Sequence, residues 1–238
     1  MATNREVFLD TKKNDSKRRS LHLNDTEIYE LLINANGFKD YTELVSNFDA
    51  EIKNKPLYTR NLTRLYDGEP LQYVLGVASF VGLDIKINHN VLIPRPETEG
   101  LALLVKEYIV QYNLNHETMA DVCTGSGCIA LYLKSQFKDS TIYASDKYED
   151  PLLVAKRNKE NLGLNIILLK GSRLQPFEEK NIMIDVLVSN PPYVEKIKEI
   201  DDNVLRYIFM IPTLDIIRMW WAKNSLWPLK LITTKKEN

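Results

Sequence analysis

Asn190-Pro191-Pro192-Tyr193 is the stretch of this chain best suited to chemistry. Two consecutive prolines fix their own φ and restrict the residue before each, so the turn is rigid. The Asn190 side-chain oxygen and the Pro191 carbonyl can each accept one N–H from an –NH₂ group, and the Tyr193 ring can pack beside it. A nitrogen held by both N–H bonds aims its lone pair at an electrophile across a cleft. That is catalysis by orientation and fixed acceptors, and it needs no charged base.

Two further features give such a nitrogen something to react with. Thr124-Gly125-Ser126-Gly127 is a tight glycine loop after an apolar run. It lacks the Gly-Lys-Ser/Thr of a phosphate loop and the full G-x-G-x-x-G spacing. Gly125 and Gly127 allow close backbone approach to a ligand, and the helix that follows offers N–H groups. Asp146 ends the next apolar run, 25 residues after Asp121. A carboxylate there is placed to accept hydrogen bonds from both hydroxyls of a ribose.

The elements that must position these residues are legible from periodicity. The spacing predicts strands over 119–123, 141–145, 166–169 and 184–189, with helices over 128–137 and from a cap at Asp150 through Pro151 to about 161. Gly163 lies just past that helix. Strands alternating with helices at this spacing imply a parallel α/β sheet with the loops gathered at the strand carboxyl ends. Upstream, residues 21–66 read as three short helices with apolar stripes, begun by Asn24-Asp25 and by a D-x-x-E capping box at Asp40 and Glu43. Residues 71–95 change to short β-rich runs (73–75, 79–81, 84–88, 91–94) broken by Gly76 and Gly82, and lead into a proline-stiffened loop and a helix over 97–112.

Composition narrows the class. The 238 residues carry 31 basic and 32 acidic side chains, a net charge of −1, which weighs against a protein held mainly by non-specific phosphate contacts. Cys123 and Cys128 are too few for a disulfide framework and wrongly spaced for a redox pair. With His22, His89 and His116 scattered, no metal site is expected. Residues 1–20 lack an apolar h-region, and the apolar stretch 204–222 contains Arg206, Pro212, Asp215 and Arg218, so neither secretion nor a membrane span is expected and the cytoplasm is the expected compartment.

Taken together, Asp121-Val-Cys-Thr-Gly-Ser-Gly127 and Asn190-Pro-Pro-Tyr193 resemble the S-adenosylmethionine-dependent amino-group methyltransferases, which include DNA adenine-N6 and protein glutamine-N5 enzymes. Glu69-Pro-Leu-Gln-Tyr-Val-Leu-Gly76 and Val91-Leu-Ile-Pro-Arg-Pro-Glu-Thr-Glu99 narrow the likeness to the release factor glutamine methyltransferases, over about residues 24–200. The resemblance implies a Rossmann-like methyltransferase sheet after a helical bundle and a β-hairpin linker. It implies a cofactor, S-adenosylmethionine, cradled by Asp121, Cys123, Thr124, Gly125, Ser126 and Gly127, with Asp146 on its ribose and Arg173 and Asn190 beside it. It implies that Asn190, Pro191, Pro192 and Tyr193 grip the glutamine of the Gly-Gly-Gln loop of a peptide chain release factor, the partner, with Asn190, Pro191 and Tyr193 catalytic.

The domain expectation is a disordered arm over 1–20, a helical docking domain over 21–70, a hairpin linker over 71–95, the methyltransferase domain over 96–200 and an atypical tail over 201–238. Cys123 stands where the family has its first loop glycine. Ser172-Arg173 stands where it has an acidic and a large apolar residue. Only 45 residues follow Tyr193, fewer than a seven-stranded sheet needs. The likeness ends near residue 207, and the expectation is an incomplete sheet and a tail that is a frame-shifted or degenerate reading of a longer enzyme. The alternatives are a DNA adenine-N6 methyltransferase and a non-catalytic remnant that binds a partner through residues 21–66.

Overall fold

The computed structural model describes residues 2–16, 22–114 and 117–191. Pro192, Tyr193 and the 201–238 tail lie outside the described residues, as do Met1 and 17–20 of the expected arm. Two compact units are present, Met1–Val77 and Ala78 onward.

The first unit is helical. α1 (Asn4–Asp15), α2 (Asp25–Asn36), α3 (Tyr41–Ser46), α4 (Lys55–Tyr66) and α5 (Leu71–Leu75) surround a core of Val7, Phe8, Ile28, Leu31, Leu32, Leu44, Tyr58 and Leu65. α1 corrects the expectation of a disordered arm. Thr3 accepts from Glu6 N while the Glu6 carboxylate takes Thr3 N, a full capping box. Phe8 then stacks on Tyr29 at 4.8 Å and meets Phe48 edge-on at 5.8 Å. Five basic residues between 12 and 19 hide these few apolar positions in the sequence.

Asn24 and Glu27 form the same box on α2, which Gly37 ends in the left-handed conformation. On α3 the box closes by half: Asp40 caps Glu43 N, but Glu43 reaches back to Lys39 N rather than to the cap. Between the helices runs a buried amide network. Asn36 donates to Asn4 Oδ1 and to the Leu32 carbonyl and accepts from Lys53 N, and Asn4 donates to the Asn47 carbonyl.

The expected strand at 73–75 is instead α5, ended by Gly76 at φ +71. Arg64 donates to the carbonyls of Tyr73 and Val74 as well as to Glu69, and Val74 is buried in the helical core. Residues 71–77 therefore belong to the helical unit, and the linker expected over 71–95 shrinks to the hairpin β1 (Val77–Phe80) and β2 (Leu83–Lys86) and the loop after it. Val81 and Gly82 turn this hairpin, both with positive φ. Residues 91–94 form no strand.

In the second unit α6 (Pro96–Gln111) precedes β3 (Thr118–Val122), α7 (Cys128–Gln136), β4 (Thr141–Asp146), α8 (Glu149–Leu162), β5 (Ile167–Lys170), α9 (Gln175–Glu178) and β6 (Val186–Ser189). The sheet is parallel with order β5-β4-β3-β6. This is a Rossmann-like α/β fold. β3 is buried on both faces, as a central parallel strand must be (Met119 and Ala120 are fully covered). The helix after β4 begins at Glu149 with Tyr148 as its cap, two positions before the expected Asp150-Pro151 start, and it ends at Gly163 as expected. Chain order leaves β3 toward β4 and β5, then returns to β6 on the other side, so β3 and β6 flank the switch point where such sheets bind ligands.

Asn36→Ala removes three bonds, two of them between buried groups, and should lower unfolding free energy by about 2 kcal/mol. Thr3→Ala, which removes a cap, should lower it by about 1 kcal/mol. Urea unfolding followed by circular dichroism checks both. Equal, negligible losses would mean that α1 is not anchored as described.

Candidate cofactor and substrate site

Register brings the chemistry-bearing residues to one edge. Val122 pairs with Ser145 on one side and Ser189 on the other, so β3, β4 and β6 end together. Ser189 Oγ donates to the Val122 carbonyl at 2.6 Å, and Thr124 N donates to the Ser145 carbonyl at 2.9 Å. The glycine loop thus bends across the end of β4, with Asn190 and Pro191 leaving from the end of β6.

Asp121 holds this loop from beneath. Its Oδ2 accepts from Thr124 Oγ1 at 2.6 Å and from Ala130 N in the first turn of α7 at 3.2 Å. One carboxylate oxygen therefore joins strand end, loop and helix. Asp121 is 1% exposed and its Oδ1 has no hydrogen-bond partner among the described residues. Burial pushes its pKa up to about 7, the bonds from Thr124 and Ala130 oppose the shift, and the nearby Asp146 charge adds to it. Asp121, expected to face a ligand, is thus a covered residue that shapes the loop. Thr124 and Ser126 are covered too. Thr124 spends its hydroxyl on Asp121, and the Ser126 carbonyl accepts from Asn158 Nδ2. What this loop offers outward is backbone.

Cys123 adopts φ +64, the left-handed conformation that a glycine takes without strain. Its thiol is pushed up to about 11 by burial first and by Asp146 and Asp121 next, and Cys128 is buried with its thiol pushed up to about 12. Both stay protonated thiols at neutral pH. Arg173, also at positive φ (+54), is exposed and lies near enough for its charge to act on Cys123. Gly127 caps α7 at φ +81, and a Cβ there would stand 3.1 Å from Ala155 Cβ. Gly125, at φ +57, opens onto free space.

Asp146 is half-buried. Oδ2 accepts from Gly125 N and Oδ1 from Tyr148 N, each at 3.1 Å. A carboxylate has about four lone-pair sites, so each oxygen keeps capacity for one more donor. Asn190 Nδ2 donates to Thr98 Oγ1 in the first turn of α6 at 2.9 Å. The structure therefore brings together Asp121, Cys123, Thr124, Gly125, Ser126, Gly127, Asp146 and Asn190, with Pro191 following and Arg173 at the rim. Pro192 and Tyr193, from the same motif, lie outside the described residues.

Sequence reasoning passed over Thr98 and Asn158. Asn158 is fully buried on α8, bonded to both backbone groups of Lys86 and to the Ser126 carbonyl, so it joins the hairpin to the glycine loop. The available signal was an asparagine in line with Val154 and Ala155 on an apolar helix face. Elsewhere, a cavity of about 480 Å³ opens between α1 and α4 in the helical unit, lined by Glu6, Asp10, Lys55 and Thr59 among others. Among the described residues no group of three or more His, Cys, Asp or Glu is placed to hold a metal, and no helix is long and apolar enough to cross a membrane.

Residues 98–211 match the family model of the methyltransferase small domain. The release factor glutamine methyltransferase of Flavobacterium psychrophilum is 37% identical over 170 residues, 69% of this chain and 59% of that protein. The protein of the same name from Streptococcus pneumoniae is 40% identical over 139 residues, 58% of this chain and 48% of that one. The chain thus spans about half the length of the curated relatives it matches. Likeness to solved structures is partial: ribosomal protein L11 methylase from Lactobacillus delbrueckii subsp. bulgaricus is 25% identical over 45% of this chain and 52% of that chain, with a TM-score of 0.36.

The raised carboxyl of Asp121 has a signed consequence. Its native pKa, about 7, lies above the unfolded value near 4, so the native state binds this proton more tightly. The stability it contributes is full below about pH 4 and is lost as pH rises through about 7. Thermal melts across that window should show the wild-type advantage over Asp121→Asn shrinking as pH rises, then levelling. A difference that stays constant with pH would show that this carboxyl titrates normally.

Proposed function

Because the chain is a relative of the release factor glutamine methyltransferases with a Rossmann-like methyltransferase fold, we propose that it transfers the methyl group of S-adenosylmethionine to a glutamine side-chain nitrogen (N5). The glutamine is the one in the Gly-Gly-Gln motif of a peptide chain release factor. The observation that carries this reading is the common end of β3 and β6, which sets Asn190 and the glycine loop side by side at the switch point of the sheet.

The residues present fit the cofactor. Gly125 leaves open space where any other residue would put a Cβ, and both oxygens of Asp146 retain acceptor capacity for a pair of ribose hydroxyls. The backbone of Cys123, Thr124, Gly125, Ser126 and Gly127 would hold the methionine part, with Asp121 acting from beneath and Arg173 at the edge. When bound, the cofactor supplies a methyl group activated by a sulfonium.

The rest of the chemistry falls to Asn190, Pro191 and Tyr193. An amide nitrogen is a poor nucleophile because its lone pair is delocalised into the carbonyl. Asn190 Oδ1 and the Pro191 carbonyl would accept its two N–H groups and fix the nitrogen in one orientation. Pro192 would hold the turn rigid, and Tyr193 would pack beside the amide. Geometry of this kind is worth several orders of magnitude when the reacting atoms are correctly aligned.

Calorimetric titration of the full chain with S-adenosylmethionine should give saturable binding. Asp146→Ala should weaken it about tenfold or more, the scale of hydrogen bonds to a charged group, alongside a lower melting temperature from losing the bonds to Gly125 N and Tyr148 N. Incubation with a release factor should then add 14 Da, one methylene, to the peptide holding Gly-Gly-Gln, as read by mass spectrometry. Methylation of adenine in duplex DNA instead, or of neither substrate, would overturn the reading.

A further inference from the structure

The segment 91–99 carries part of the resemblance to the release factor glutamine methyltransferases, yet the chemistry above makes no use of it. Its last residues, Thr98 and Glu99, sit in the first turn of α6, where each makes a bond to a distant element. Glu99 Oε1 accepts from Val81 N, the turn residue held at φ +46 between β1 and β2. Thr98 Oγ1 accepts from Asn190 Nδ2 at 2.9 Å, across 92 residues of sequence.

An asparagine side chain has a donor end and an acceptor end of nearly equal shape, so its use as an acceptor depends on something fixing which end points where. If the Asn190 amide were rotated by half a turn, its –NH₂ would face the –NH₂ of the substrate, two donors in opposition. Thr98 is 5% exposed, so its hydroxyl is withdrawn from solvent and a lost partner there is not replaced by bulk water. We propose that Thr98 is a positioning residue for methyl transfer: its hydroxyl, bonded to Asn190 Nδ2, restrains the Asn190 side chain so that Oδ1 stays directed at the substrate nitrogen. The inference rests on the glutamine-methylating reading and adds to it the residue that orients Asn190.

Thr98→Val and Thr98→Ala remove the acceptor, and Thr98→Ser keeps it. With a release factor as substrate, both acceptor-less variants should lose about tenfold or more in kcat, the scale on which one oriented hydrogen bond acts. The KM for the release factor and the affinity for S-adenosylmethionine should stay within about twofold, and Thr98→Ser should recover kcat to within about twofold. Independently, the side-chain amide signals of Asn190 in a nitrogen–proton spectrum, identified by their loss in Asn190→Asp, should shift in Thr98→Val and Thr98→Ala and return in Thr98→Ser.

A kcat within twofold of wild type in a folded acceptor-less variant would overturn the proposal. So would equal damage in all three variants, or unmoved Asn190 signals. If the wild-type chain transfers no methyl to a release factor, the glutamine reading falls by itself, and the amide signals alone then decide whether Thr98 orients Asn190.

Discussion

One buried carboxylate oxygen organises the methyltransferase half of this chain. Asp121 Oδ2 binds Thr124 Oγ1 and Ala130 N together, so the end of the central strand, the glycine loop and the start of α7 are fixed by a single group. Taking a carboxylate out of water is costly, and the carboxyl answers by holding its proton up to about pH 7. The return is a loop whose side chains are turned to the protein. Its backbone, with Gly125 opening onto space and Gly127 packed against Ala155, is left for a ligand.

Around that loop, polar side chains act as ties between elements far apart in sequence. Asn158 bonds the hairpin end at Lys86 and the loop at Ser126. Glu99 bonds the hairpin turn at Val81, and Thr98, one residue earlier, bonds Asn190. The hairpin reaches the glycine loop through Asn158, and the first turn of α6 reaches Asn190 directly, so both are parts of the site's frame. Asp146 closes the circuit by accepting from Gly125 N and Tyr148 N.

The helical unit is held by different means. Capping boxes start α1 and α2, a stack of Phe8 on Tyr29 fills its core, and the Asn4–Asn36 network satisfies the loop backbone that the helices enclose. Arg64 ties α5 to α4 through two carbonyls and Glu69, which makes the Glu69–Gly76 segment part of this unit rather than the start of the hairpin.

The sequence by itself determined the parallel α/β sheet, the glycine loop, Asp146 at the end of β4, Gly163 as a helix stop and Asn190 after β6. These are local signals: an apolar run of strand length, a turn that only certain residues make, a motif of adjacent residues. Misread were α1, where two buried aromatic and aliphatic positions are outnumbered by charges, and α5, whose five residues are too short to show a helical period. Tertiary structure alone decided that Asp121 lies beneath the loop, that Asn158 joins hairpin to loop, and that Thr98 meets Asn190. The last two depend on bonds between residues 72 and 92 positions apart, and a hydrogen bond across such a distance leaves no periodic trace in the chain. Asp121 bonds only nearby residues, but its burial comes from the sheet packed around it. The register of β3 against β4 and β6 sets the glycine loop and Asn190 at one edge of the sheet.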